Sequence, residues 1–243
     1  MTQTRIAVVT GAAGPMGLAT AKALLAEGHR VALADIDALK VQRLAKEAGG
    51  YALPLDVADI AAVHAACDRV EQELGPVDIL VNNAGILSNN KFAATTPDEW
   101  RKVLSVNLDG AFWLSQRLLP GMKERRWGRI VNTCSFAMKS GGLTAGTAYT
   151  VSKAALQGLT FTLAREVVGL GVTVNAIAPA HVNTPMVSKQ LTEAQRQALL
   201  KQFPMGRFCE PEEFAHCVRF FCSPLSGFIT GEVLDLNGGL QFD

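Results

Sequence analysis

Residues 8–28 read VVTGAAGPMGLATAKALLAEG, and the punctuation of this stretch decides the fold. The apolar run 6–10 has the pattern of a strand buried on both faces. A glycine-rich turn follows, then an Ala- and Leu-rich segment, 15–27, with the composition of a helix that Gly28 stops. Gly11, Gly14 and Gly17 let the backbone come close to a pyrophosphate. The helix N-terminus, with Met16 and its neighbours, presents free N–H groups to it. Pro15 stands where such turns usually carry glycine. A first helical turn tolerates it, because its fixed φ is already helical and its missing N–H has no intrahelical partner. Gly14 is then expected to supply the unusual backbone angles.

Working outward, strand and helix signals alternate to the end of the chain. Strands are predicted at 31–35, 51–55, 79–82, 130–133, 172–177 and 233–236. Helices are predicted at 38–48, 59–74 and 148–170, with others opening at Pro97 and Pro211. This alternation predicts an α/β fold, a single Rossmann-type domain over 1–243. Its doubly wound parallel sheet of about seven strands carries helices on both faces. The polar segment 184–208, with a helical piece at 193–202, falls outside the strand pattern and reads as a lid or substrate loop.

The second strand ends in Ala34-Asp35, with Ile36 after it. Asp35 lies 24 positions after Gly11, close to the spacing of a carboxylate that accepts from adenosine ribose hydroxyls. A carboxylate there repels a 2′-phosphate, and no Arg or Lys lies between Gly11 and Gly17, so NAD is expected rather than NADP. Asp35 could instead cap the next helix.

The other signal is AYTVSKAAL, residues 148–156. Tyr149 and Lys153 are four apart on a predicted helix and share a face. To act as a base near neutral pH, a tyrosine must lose roughly two to three pKa units, about 3–4 kcal/mol. One ammonium at about 5 Å in an effective dielectric near 20 supplies about 3 kcal/mol. The pair therefore has the right size of effect for acid–base work.

Bulk properties limit the alternatives. Of 243 residues, 49% are apolar and 19% charged, which excludes a disordered polyelectrolyte. A formal net charge of +1 gives no electrostatic case for nucleic acid or an anionic membrane. Five cysteines without Cys-x-x-Cys spacing and four scattered histidines give no metal site and suggest free thiols in a reducing compartment. The N-terminus runs straight into an apolar strand and no apolar run reaches membrane length, so a soluble cytoplasmic protein is expected.

Taken in order, Thr10-Gly11…Gly17, Asp56-Val57, NNAG at 82–85, Asn107 in SVNLDGAF, Ser135 in IVNTCS, Tyr149-x-x-x-Lys153, NAIAPAHVNTPM and GEVLDLNGG make a specific set. The chain resembles the short-chain dehydrogenase/reductases over nearly its whole length. That resemblance implies roles. Tyr149 is the general acid/base. Lys153 lowers its pKa and holds the nicotinamide ribose, and Ser135 hydrogen-bonds the substrate oxygen. Asn107 kinks its helix and helps hold a relay water. Asp56 and Val57 flank the adenine, Asn83, Ala84 and Gly85 line the cofactor groove, and Thr184 meets the carboxamide end. Gly11, Gly14, Met16, Gly17, Asp35, Ile36, Pro179 and Val182 complete the expected NAD surface.

Two further departures from the family pattern stand out. Ser135 lies 14 residues before Tyr149 rather than the more frequent 13, and Pro179-Ala180 replaces Pro-Gly. The substrate wall is expected to include Ser88, Ser135, Phe136, Leu143, Thr147, Tyr149, Ala180, His181 and Met186, with Lys91, Lys139 or Arg207 as candidate carboxylate receivers. The leading expectation is NAD-dependent oxidation of a secondary alcohol in a small polyol, sugar acid or hydroxyacid. The alternatives are a 3-oxoacyl-thioester reductase, although those usually prefer NADPH and carry a basic residue in the first loop, and a non-catalytic NAD-binding regulator. The resemblance also implies a homotetramer.

Overall fold

The computed structural model describes residues 3–184 and 192–242. Seven strands form one parallel sheet in the order β3-β2-β1-β4-β5-β6-β7. They are β1 (Ile6–Thr10), β2 (Arg30–Asp35), β3 (Tyr51–Pro54), β4 (Ile79–Asn82), β5 (Gly128–Thr133), β6 (Val172–Pro179) and β7 (Val233–Leu236). Every predicted strand is present.

Side chains alternate across the sheet, as the pleat requires. In β1, Ala7 and Val9 join Leu24, Phe214 and Phe221 on one face, whereas Val8 joins Val63, Leu114 and Val167 on the other. The first face is covered by α1 (Pro15–Ala26) and α2 (Ala38–Ala48), together with a C-terminal helix, Pro211–Cys222, labelled α9 below. The second face is covered by α3 (Ile60–Glu73), α5 (Gly110–Glu124) and α7 (Thr147–Val167). The remaining helices are α4 (Pro97–Leu104), the short α6 (Ala137–Ser140) and α8 (Glu193–Leu200). This is the doubly wound, single-domain α/β architecture.

Helix α5 is absent from the predicted elements. Its sequence carries Gly110, Pro120 and Gly121, all breakers by propensity, but one side of it buries Leu114, Leu118 and Met122 in the core. Helix α7 ends at Val167, short of the predicted 170. Gly169 and Gly171 both take left-handed φ, +82° and +79°. No helix among the described residues is long and apolar enough to cross a membrane.

Gly171 admits no side chain. A Cβ there would stand 1.9 Å from the Arg126 carbonyl oxygen. The Gly171→Ala change therefore combines a forbidden φ with a backbone collision. It should lower stability by about 3 kcal/mol, read as a lower urea midpoint at fixed protein concentration.

Candidate active site

The cleft opens where β1 and β4 part company, since α1, which follows β1, and α5, which follows β4 through α4, cover opposite faces of the sheet. Thr10, 1% exposed, ties the two strand ends together. Its hydroxyl donates to the Val81 carbonyl (3.2 Å) and accepts from the Asn83 and Ala84 amides (2.9 and 3.0 Å). One donor and two lone pairs are all in use. The Asn83 side-chain amide donates to the Thr10 carbonyl at 2.8 Å. The asparagines of NNAG thus do more than close a turn.

In the glycine-rich turn, Gly11 takes φ +64°, and Gly14 does not take the left-handed angle expected of it. Gly14 is the N-cap of α1 at φ −81°, ψ 159°. The cause is Pro15 at the first helical position, which drives the preceding residue into extended backbone. Gly17 is the tightest point. A Cβ on it would lie 2.3 Å from the Gly11 carbonyl oxygen and 2.8 Å from the Ala12 Cα. Asp35 does not cap α2; Asp37 does, accepting from the Lys40 amide. The Asp35 carboxylate accepts instead from the Ala13 amide (2.9 Å) and the Asp37 amide (3.0 Å), which holds it beside the turn. Ile36 next to it is exposed.

Asn107 lies in a π-helical turn, Ser105–Asp109, between α4 and α5. Its side chain accepts from the Ile86 amide (2.8 Å) and donates to the Ile86 carbonyl and the Ser152 hydroxyl (both 3.0 Å). The Lys153 ammonium donates to the Thr133 carbonyl at 2.6 Å, and lies 5.8 Å from the centre of the Tyr149 ring. A Cβ on Gly85 would approach both Asn107 Oδ1 (3.3 Å) and Lys153 Nζ (3.4 Å). Met16, Asn83, Gly85, Pro179, Val182 and Thr184 line one groove together with Ser135, Tyr149 and Lys153. Asp56 and Val57 lie outside that lining: the Asp56 carboxylate accepts from the Ala58 amide, and Val57 is buried against Gly110. The groove, with the glycine-rich turn and the Asp35 carboxylate held beside that turn, fits an extended dinucleotide.

The electrostatics depart from the expectation that Lys153 lowers the Tyr149 pKa. Burial pushes the phenol up, opposed by a hydrogen bond from the Ser135 hydroxyl. Burial also pushes the Lys153 ammonium down, to about 8. Burial is the largest influence on both groups, so the protein by itself favours a protonated phenol.

A second cavity shares Ser135, Tyr149 and Ala180 with the groove and adds Leu87, Phe136, Leu143, His181 and Leu199. It is chiefly apolar, and no charged residue lines it among the described residues. Two expected wall residues are elsewhere. The Ser88 hydroxyl donates to Glu99, and Thr147 donates its amide to the Asn90 carbonyl. The candidate carboxylate receivers are engaged too. Lys91 donates to the Gly142 and Ala145 carbonyls (2.5 and 2.7 Å), Lys139 pairs with Asp235, and Arg207 pairs with Glu213. Met186 lies outside the described residues. Leu87 and Leu240 line the cavity without having been singled out in the sequence, whereas Leu199 and Gln202 come from the 184–208 segment read as a lid or substrate loop. The residue added between Ser135 and Tyr149 is taken up by α6 and two left-handed glycines, Gly141 and Gly142. Ala180 keeps an ordinary negative φ, since Arg126 is the sole non-glycine with positive φ among the described residues. No cluster of three metal-ligating side chains occurs among them either.

The turn makes two opposite predictions. Gly17→Ala should weaken dinucleotide binding by about tenfold or more, because backbone must move. Pro15→Gly should stay within about tenfold, roughly 1.4 kcal/mol. Titration of tryptophan fluorescence with NADH distinguishes them.

A family model described as enoyl-(acyl carrier protein) reductase matches residues 11–241. Acetoacetyl-CoA reductase of Rhizobium meliloti (strain 1021) is 40% identical over 243 residues, covering 98% of this chain and 99% of that one. Nodulation protein G of Azospirillum brasilense is 40% identical over 244 residues, 98% of each. A 3-oxoacyl-(acyl-carrier-protein) reductase of Pseudomonas aeruginosa is 40% identical over 245 residues, again 98% of each. Two of these names describe reductases of 3-oxoacyl thioesters, which favours the thioester alternative over the polyol expectation. With this full-length similarity, the parallel sheet and the Ser135–Tyr149–Lys153 arrangement, the chain belongs to the short-chain dehydrogenase/reductase family, oxidoreductases that use a nicotinamide cofactor.

Proposed function

We propose that the protein is an NADH-dependent reductase of 3-oxoacyl thioesters. The observation that carries the substrate half is the chiefly apolar cavity opening on Ser135 and Tyr149, which no charged residue lines among the described residues. A sugar acid would bring its carboxylate against Leu87, Phe136 and Leu199 with no cation among the described lining residues, and an unpaired polar group costs about 1–3 kcal/mol. An acyl chain leaves none. The names of the relatives point the same way. The cofactor half rests on the fixed Asp35 carboxylate and a turn without cations. A 2′-phosphate brought there would meet a negative charge with no basic partner, so NADH is preferred despite the NADPH habit of such reductases.

The groove residues Asn83, Gly85, Pro179, Val182 and Thr184 would hold the cofactor, with its pyrophosphate on the Gly11–Gly17 turn and its ribose at Lys153. When bound, it supplies the hydride. Ser135 donates to the 3-oxo oxygen and orients it toward Tyr149. The phenol, kept protonated by burial, delivers its proton to that oxygen as the carbonyl carbon is reduced. The product is the 3-hydroxyacyl thioester, and the phenolate so formed lies near the Lys153 ammonium. Asn107, bonded to Ile86 and Ser152, holds the floor beneath that ammonium. Exposed Phe112, Phe161 and Val168 on α5 and α7 support a homo-oligomer, and the five free thiols suit a cytoplasmic setting.

Two measurements test this reading. NADH oxidation with acetoacetyl-CoA should be at least about tenfold faster than NADPH oxidation, and Tyr149→Phe should lower kcat by about 10²–10⁴. Equal use of NADPH would sink the cofactor half, and an inert acetoacetyl thioester the substrate half. The pH profile follows from the two pKa directions. Protonated Tyr149 and charged Lys153 are both lost as pH rises, so reductive kcat/KM should be level near neutrality and decline above about 8. A rate that climbs through that range would contradict the acid role.

A further inference from the structure

The cavity that opens on Tyr149 is lined both by Leu143, 69% exposed, and by Leu199, 9% exposed. His181 lines it too. Its ring stacks on Phe208 (centroids 5.6 Å, 29° between planes) and meets Phe203 edge-on at 5.8 Å. Phe203 and Phe208 are themselves 5% and 4% exposed. On the other side, His181 Nε2 is 3.3 Å from the Thr144 hydroxyl. That hydroxyl belongs to the loop that Lys91 holds through the Gly142 and Ala145 carbonyls. The imidazole is thus gripped from two directions.

Behind the ring is a second cavity of about 510 Å³, against about 110 Å³ in front of it, and His181 lines both. The rear cavity is walled by Phe203, Pro204, Met205, Leu236 and Phe242. Its polar members are satisfied: Arg207 pairs with Glu213, and Asn237 accepts from the Gly239 amide and donates to the Gln241 carbonyl. It therefore suits hydrocarbon and offers nothing to a charged ligand. His181 Nδ1 is buried without a partner, and burial lowers the ring's pKa, so the partition is a neutral imidazole.

We propose that His181 is the partition that limits the acyl arm of the substrate to a few carbons, closing the reaction cavity against the apolar cavity behind it. This rests on the thioester-reductase reading. With the 3-oxo group at Ser135 and Tyr149, two arms leave the carbonyl carbon. The thioester arm carries a large polar carrier and must exit past Leu143. The hydrocarbon arm takes the side of buried Leu199 and stops at the imidazole. Removing the ring joins the two cavities into one continuous apolar channel.

The test compares kcat/KM for acetoacetyl-CoA and 3-oxodecanoyl-CoA, with whichever nicotinamide cofactor the full chain uses, in wild type, His181→Ala and His181→Phe. Wild type should prefer the short substrate by at least about tenfold. His181→Ala should shift that ratio toward the long one by about tenfold or more, and His181→Phe, which keeps a ring, should leave it in place. An unchanged ratio in His181→Ala, or a wild type that takes both lengths equally, overturns the partition while the reductase reading stands. Turnover of neither thioester by wild type sinks that reading instead. The partition is then decided by calorimetry with butyramide and decanamide: decanamide binding tighter to His181→Ala than to wild type supports it, and equal binding overturns it. If His181→Ala melts far below wild type, His181→Cys carries the same comparison with a small buried side chain.

Discussion

One buried hydroxyl holds the site in register. Thr10 ends β1, and its oxygen joins the Val81 carbonyl to the Asn83 and Ala84 amides, so β1 and β4 finish at the same height. The groove exists because the chain leaves those two strands in opposite directions. It has a fixed floor because Thr10 and Asn83 bond the diverging backbones before they part. Everything nearer the chemistry is referenced to that seam. Gly85 follows it by one residue, and Ile86, held at both its amide and carbonyl by Asn107, follows next. Asn107 in turn grips Ser152, beside Lys153 on α7.

The catalytic pair shows how burial and charge compete. A Coulomb estimate from spacing alone makes Lys153 depress the Tyr149 pKa by a few units. In the folded protein both groups have lost their water, and desolvation moves each toward its neutral form. Neutral phenol is a proton donor, which is what carbonyl reduction needs at its oxygen. Asp35 adds a separate constraint, since its carboxylate is held beside the glycine-rich turn by two backbone amides.

The motifs that carry the chemistry were legible because each is local: a glycine turn after a strand, an acid at the next strand end, a Tyr and Lys one helical turn apart. The misreadings were local as well. Gly14 was given the left-handed angle because it neighbours Pro15, yet the proline is what forbids it. Helix α5 was hidden behind Pro120 and Gly121, since helix-breaking propensity is overridden when Leu114, Leu118 and Met122 enter a core. Ser88 and Thr147 were read as substrate wall, but neither lines the cavity, and the Ser88 hydroxyl is taken by Glu99.

The sequence by itself determined the strand–helix alternation, the glycine-rich turn and the one-turn spacing of Tyr149 and Lys153, because these depend on spacings of a few residues and on backbone freedom at single positions. Tertiary structure decided the substrate cavity. Leu87, Phe136, His181, Leu199 and Leu240 meet there from five separate stretches of chain, and no periodicity links them. It also decided the charge state of the catalytic pair, because desolvation depends on what surrounds a group in space rather than on its neighbours in the chain.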